Sequence, residues 1–534
     1  MGRQPEILDA AGAVATIPDG ATISVIGTGP VLEPDLVLKA LEQRFLAEGR
    51  PRGMTLVTPM LPGDRPGEGG LNSFAHPGML KKLIGASFAR ARHPKLLDLL
   101  RSGDIEGYMI SMGSMVELLT AIGSGKPGLF TPVGLGTFLD PRREGGALNA
   151  RSTQPPSRVE VVNGKEYLFY PAFPIDVAII RGTTADENGY ISFEEEPNTL
   201  GAAEIAMACK ASGGRVIAQV KRLARAGSLD PRLVRVPGPL VDVVVVNPYQ
   251  TQLSPAMAEP LAGWNPFLAG AMKHPLKGLA GVGGGPERTI LRRAAHELRP
   301  GDVVNLGAGV ATKIPLVALE EKILDHVTFT NEHGIFGGVM ATALGGSFVP
   351  ALNAEAVMDS VFQFNFYDGG GLDITFLGIG EVDASGDLNV SRFGPEINGP
   401  GGFNNITDRT RRIVFCGSLT SGGLKVENEG GKLRIAQEGK HRKFVAKVEQ
   451  VTFNARRAVE KGQSVLYVTD RCVMQLTANG PELIEIAPGI DLDRDILGNI
   501  GFELRVSAHL REMPADVFAD GPMGLLRNFG GNEA

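Results

Sequence analysis

The sequence is short of several features that mark whole classes of protein. Its 534 residues include only three cysteines, Cys209, Cys416 and Cys472, far apart and without a CxxC pair. That excludes a disulfide framework or a cysteine-built zinc cluster and suits a reducing compartment. Positive charge is not in excess: the formal net charge of −6 gives no global attraction to nucleic acid or to an anionic membrane. No apolar run nears the roughly 20 residues of a membrane span, and "VDVVVV" (241–246) is strand-sized. The histidines show no metal-ligand spacing such as HExxH, so no metal is expected. The opening MGRQPEILDA lacks the charged-then-apolar layout of a signal peptide, and Glu6 stands where a myristoylation motif needs Ser or Thr. The expectation is a cytoplasmic protein with neither nucleic acid nor membrane as a partner.

Apolar residues at 43% and charged residues at 21% give the balance of a globular chain, and the length implies more than one core. The 71 glycines favour many tight turns. Strand-like and helix-like segments alternate, which predicts an α/β fold. The alternation also repeats. "DGATISVIGTGP" (19–30), an amphipathic helix and "MTLVTPM" (54–60) are followed in kind by "PGDVVNLGAGV" (300–310), "ATKIPLVALEEKIL" and "HVTFTNE" (326–332). "IDVAIIRGTTADENGYISF" from Ile175 aligns without a gap on "LDITFLGIGEVDASGDLNV" from Leu372. Asp176 then matches Asp373, Asp186 matches Asp383, and Gly189 matches Gly386. We read two similar α/β domains from an internal duplication, 1–280 and 286–534, divided by the glycine-rich 281–285, with the active site in the cleft between them.

One carboxylate stands out. In "FTNEHGIFGGV" (329–339) a strand pattern ends on Glu332 and glycines follow. Laid on the first half, Glu332 falls on Pro59, so the repeated fold does not require an acid there. Strand ends in α/β domains are where ligands sit, and Gly334, Gly337 and Gly338 supply a turn with amides open to close approach. An exposed turn residue is the competing reading. "GAGVAT" (307–312) follows a strand but does not complete GxGxxG. His333, next to Glu332, points to the opposite strand face. Cys416 in "IVFCGS" reads as a buried inert thiol, and Glu194, Glu195 and Glu196 read as a solvated turn. "GPGGFNN" (399–405) reads equally as a plain loop or as a source of N–H groups for an oxyanion.

Long stretches in order, among them "KPGLFTPVGLGTFLDPR", "FPIDVAIIRGTTADENG", "VVNLGAGV", "NEHGIFGG", "QFNFYDGGGLD", "GPGGFNNI" and "EIAPGIDLDRDIL", resemble the class I CoA-transferases. The likeness is to the fused-chain acyl-CoA:acetate/3-ketoacid (propionate) type and runs nearly end to end. It implies CoA transfer from an acyl-CoA to a small carboxylic acid, with Glu332 as the nucleophile and no cofactor beyond coenzyme A as substrate. It further implies Gly401 and Gly402 as substrate-side N–H donors, with Gly307, Ala308, Gly309 and Asn389 around the glutamyl carbonyl. A homo-oligomer, dimer or tetramer, is also implied. Two departures occur in the first half. "SMG" (111–113) stands where the family reads PQG, placing Met112 in the acyl pocket without an amide donor. "GTGP" (27–30) replaces GGFG. Two alternatives therefore stay open: an acyl-CoA hydrolase using the same glutamate, and a non-catalytic acyl-CoA-binding sensor.

Overall fold

Short runs of Val, Ile and Leu without polar alternation suit strands covered on both faces. In the computed structural model, which describes residues 4–88, 92–253, 263–279, 281–344 and 349–530, such runs build two separate sheets. The first contains β1 (Thr22–Val25), β2 (Met54–Thr58), β3 (Val177–Arg181), β4 (Arg215–Val220) and β5 (Val243–Val246). These stand parallel in the order β2-β1-β3-β4-β5 within a sheet of eight described strands. The second contains β6 (Val303–Leu306), β7 (Thr328–Asn331), β8 (Ile374–Gly378), β9 (Arg412–Cys416) and β10 (Ser464–Val468). They stand parallel in the order β7-β6-β8-β9-β10 within a sheet of ten described strands. Strand for strand, the two orders agree.

The residues matched in sequence also do matched jobs. Asp176 and Asp373 each precede a central strand and accept the N–H that opens its neighbour, from Thr22 at 2.8 Å and from Val303 at 3.0 Å. Asp186 Oδ1 gathers the N–H groups of Asn188 and Tyr190, both at 3.0 Å. Asp383 Oδ1 gathers those of Ser385 at 2.9 Å and Asp387 at 3.2 Å. Gly189 and Gly386 close these turns with φ of 83° and 85°, a left-handed conformation that costs glycine nothing.

The first sheet draws its strands from residues 6–246 and the second from 303–512. Residue 280, where the first expected domain ends, lies outside the described residues. The halves nevertheless share apolar packing. Helix α1 (Met112–Gly123) brings Met112, Met115 and Leu119 into one cluster with Phe364 of α2 (Ser360–Asp368) and Phe403 of α3 (Phe403–Arg409). Two sequence expectations need correction. Residues 403–405 are the first turn of α3, not loop. The Glu194–Glu196 run is not a solvated turn: Glu196 is buried and pairs with Arg181 at 3.1 Å, and Glu195 bonds Lys221 at 2.7 Å. Among the described residues no helix is long and apolar enough to cross a membrane.

Candidate active site

Glu332 leaves the end of β7 at a tight turn. Asn331 fixes that turn, accepting the His333 N–H at 3.0 Å and donating to the Val349 carbonyl at 2.9 Å. Gly334 is required because it has φ of 93° and because a Cβ there would run into the Met358 carbonyl. The expected role of the following glycines is corrected at this point. Gly334 and Gly337 donate their N–H groups to Asn331 and Phe329. A Cβ on Gly337 or Gly338 would strike Glu355 or the Leu352–Ala354 backbone. These glycines serve close internal packing, not a path for a ligand.

The Glu332 carboxyl faces the other way, onto Gly402. The Gly402 N–H bonds it, and a Cβ on Gly402 would overlap Glu332 Oε2 while pressing to 3.0 Å from the Phe364 ring. Burial pushes the Glu332 carboxyl up to about 7, and the Gly402 N–H acts against that rise. Once ionised, such a carboxylate is a stronger base than that of an ordinary glutamate. Gly401 plays a different part from its neighbour: its N–H is engaged by the Ala86 carbonyl at 2.9 Å, and its own carbonyl accepts the Met112 N–H at 2.8 Å.

That last bond brings the first half to the site. Met112, buried at 3% exposure, starts α1, and Gly113 and Ser111 both donate to Asn405 Oδ1. Thr28, from the altered "GTGP" turn, meets His333 Nε2 at 3.3 Å, and Asn198 donates to the His333 carbonyl at 2.8 Å. Burial drives the His333 imidazole down to about 3, so it stays neutral. It points toward the first half rather than pairing with Glu332.

Gly307, Ala308 and Gly309 follow β6, whose register sets Asn305 opposite Thr330. The Gly307 N–H is taken by the Phe376 carbonyl at 2.8 Å. Ala308 and Gly309 line a cavity of about 360 Å³ with Glu287, Gly378, Cys416 and Lys443. Asn389 is held elsewhere, since its amide donates to Glu381 at 2.8 Å and to the Arg392 carbonyl, while its oxygen accepts from Ser391 and Arg392. The structure therefore brings Glu332, Gly402, Gly401 and Met112 together, while Ala308 and Gly309 line the strand-end cavity and the Asn389 side chain is engaged in its own hairpin.

Residues 7–247 match the family model described as Coenzyme A transferase. The chain is 38% identical to the acetate CoA-transferase YdiF of Escherichia coli (strain K12), covering 98% of this chain and 97% of that protein. It is 40% identical to the caffeate CoA-transferase of Acetobacterium woodii, covering 97% of this chain and 98% of that protein. The chain belongs to the coenzyme A transferase family. Its fold superposes with a TM-score of 0.91 on the crystal structure of the acyl-CoA transferase YdiF from Escherichia coli O157:H7 in a thioester complex with CoA, at 37% identity over 98% of this chain and 97% of that chain.

Several contributors to this transferase's site have no signal in the sequence. Lys443 ends the basic run KHRK (440–443), which matches no motif; its ammonium reaches the Ile379 carbonyl at 3.1 Å, and burial lowers its pKa. Phe364 and Asn405 belong to no catalytic motif, and only the fold sets them beside Gly402 and Gly113. Cys416 does behave as expected, buried at a strand end with its thiol pushed up by burial. Among the described residues no group of three or more His, Cys, Asp or Glu side chains is arranged to hold a metal ion.

Proposed function

We propose that this chain transfers CoA from an acyl-CoA to a small carboxylic acid by a ping-pong reaction at Glu332. The observation that carries the reading is the Glu332 carboxyl set against the Gly402 N–H at the junction of the two halves. The ionised carboxylate attacks the thioester carbonyl, and collapse expels CoA thiolate to leave an acyl–glutamyl anhydride. The thiolate then attacks the glutamyl carbonyl, releasing the first acid and forming a glutamyl-CoA thioester. A second acid reverses both steps and leaves as its CoA ester, so the thioester bond energy is conserved. No redox step occurs. Each tetrahedral intermediate carries an oxyanion, for which the Gly402 N–H is our choice of donor; one such donor is worth roughly 2.7–4 kcal/mol. Orientation in a dry cleft supplies much of the rest, since aligned groups reach effective molarities of about 10⁵–10⁸ M. The buried Met112 and neutral His333 help to keep that cleft dry. The cavity lined by Ala308, Gly309 and Lys443 suits part of the CoA arm, with the Lys443 ammonium as its cation. We take the working form to be a cytoplasmic dimer or tetramer of two-domain chains, divided at 280–286.

The test is chemical. Wild-type protein incubated with acetyl-CoA and then borohydride should carry its modification on the peptide containing Glu332, and Glu332→Ala should lose transfer by more than about 10⁴-fold. A modification on another residue, or transfer retained in the variant, would overturn the assignment.

A further inference from the structure

Asn405 lies in the first turn of α3, three residues beyond Gly402, and is fully buried. Both ends of its carboxamide are engaged, each by a different half of the chain. The Gly113 N–H can only donate, so the atom facing it at 3.1 Å is Oδ1, which also accepts from Ser111 Oγ. Nδ2 then faces Asp368 at the end of α2, donating at 2.9 Å and 3.2 Å to its two carboxylate oxygens. The fit is close: a Cβ on Gly113 would come to 2.5 Å from Nδ2 and 2.7 Å from the Phe364 ring. One bond away, the Met112 N–H holds the Gly401 carbonyl at 2.8 Å.

We infer that Asn405 is a positioning residue for the transfer reaction: through Gly113 and Asp368 it sets the Met112 turn and the Gly402 N–H in fixed relation to Glu332. The inference rests on the proposed function. An amide suits the place because the two neighbours make opposite demands. The α1 terminus needs an acceptor and Asp368 needs a donor. Alanine meets neither demand, and aspartate meets only the first when Asp368 is ionised. The surroundings sharpen the point. Burial and the nearby Glu117 of α1 raise the Asp368 carboxyl well above its usual range, Asp408 adds to this, and the Asn405 amide and Arg409 oppose it. A third carboxyl in place of Asn405 would therefore stand against Asp368 and close to Glu117.

Four variants test this: Asn405→Ala, Asn405→Asp, Asp368→Asn, and the double variant Asn405→Asp with Asp368→Asn. The readouts are exchange of labelled acetate into acetyl-CoA, giving kcat and KM, and circular dichroism for the fold. Asn405→Ala should lose about 100-fold in kcat with KM for acetyl-CoA little changed, the cost expected of a small misplacement at a reacting centre. Asn405→Asp should be impaired most at high pH, where the added carboxyl ionises. The double variant exchanges donor and acceptor in place and should recover to within about tenfold of wild type, because the two side chains couple directly. Wild-type kcat in Asn405→Ala overturns the inference, as does a double variant no more active than Asn405→Asp. If Asn405→Ala does not fold, the comparison of Asn405→Asp with the double variant decides. Loss of transfer in Glu332→Ala with full activity in Asn405→Ala removes only the role of Asn405, whereas transfer surviving in Glu332→Ala removes the proposed function itself.

Discussion

Replacing Gly402 by alanine isolates the contact on which the candidate site depends. The backbone at Gly402, with φ of −85° and ψ of 0°, is ordinary for alanine, so the change imposes no conformational strain. The obstacle is space. The new methyl would overlap Glu332 Oε2 and crowd the Phe364 ring at 3.0 Å, and the carboxylate is the part free to move. Glu332 would then leave the Gly402 N–H, and the donor would no longer face the oxyanion that forms there. We expect kcat to fall by roughly 10²–10³-fold, about 2.7–4 kcal/mol, the range for loss of one oxyanion donor. The pH dependence should move as well. In the wild type the Glu332 carboxyl sits at about 7, held below the value that burial alone would set by the Gly402 N–H. Since the ionised form attacks, wild-type kcat should rise with pH through about 7 and level off above it. Without the N–H the carboxyl rises further, so the rising limb of Gly402→Ala should shift to higher pH. Steady-state transfer assays from pH 5.5 to about 9 would measure both effects. A Gly402→Ala enzyme with wild-type kcat and an unmoved limb would refute the reasoning.

Met112→Gln restores an amide donor at the start of α1 and should change the kcat/KM ratio between acyl-CoA donors by about tenfold, a scale set by one pocket contact, while the Glu332 thioester still forms. A panel of acyl-CoA substrates read by mass spectrometry checks this. Glu117 is raised to about 7 by burial, so the folded state holds a proton that the unfolded chain releases near 4.5. Its contribution is full at low pH and is lost as pH rises through about 7, worth roughly 3 kcal/mol. Glu117→Gln should therefore raise the melting temperature more at pH 8 than at pH 5, and an equal shift at both would count against it. Arg181→Met leaves Glu196 buried without its partner, now at 3.1 Å, and should cost about 3–5 kcal/mol in urea unfolding.

The paired α/β pattern was readable because the chain carries its own comparison. The ungapped match of Asp176 with Asp373 and Asp186 with Asp383 reflects side chains that must cap the same strand starts and turns. The same comparison singled out Glu332, since Pro59 occupies its place in the first half. What stayed hidden depends on tertiary placement. The acidic run at 194–196 looks solvated on paper because the cation that pairs with Glu196, Arg181, lies at the end of β3, 15 residues away. Glycines near Glu332 look open to a ligand, yet only the fold reveals the Met358 and Leu352 carbonyls pressed against them. Nothing in the sequence says that the Phe364 ring abuts Gly402.

The bond from Gly113 to Asn405 joins residues 292 apart in the chain. Contacts of such separation pay their loop-closure entropy before they are rewarded, so they form late. Each sheet has parallel pairings of its own and can gather without the other, yet neither half alone holds Met112, Gly402 and Glu332 in one place. During refolding, or as the chain emerges from the ribosome, the site therefore comes into being at the final docking of the halves. Recovery of transfer activity is then a clock for that docking step, and it should trail the return of secondary structure.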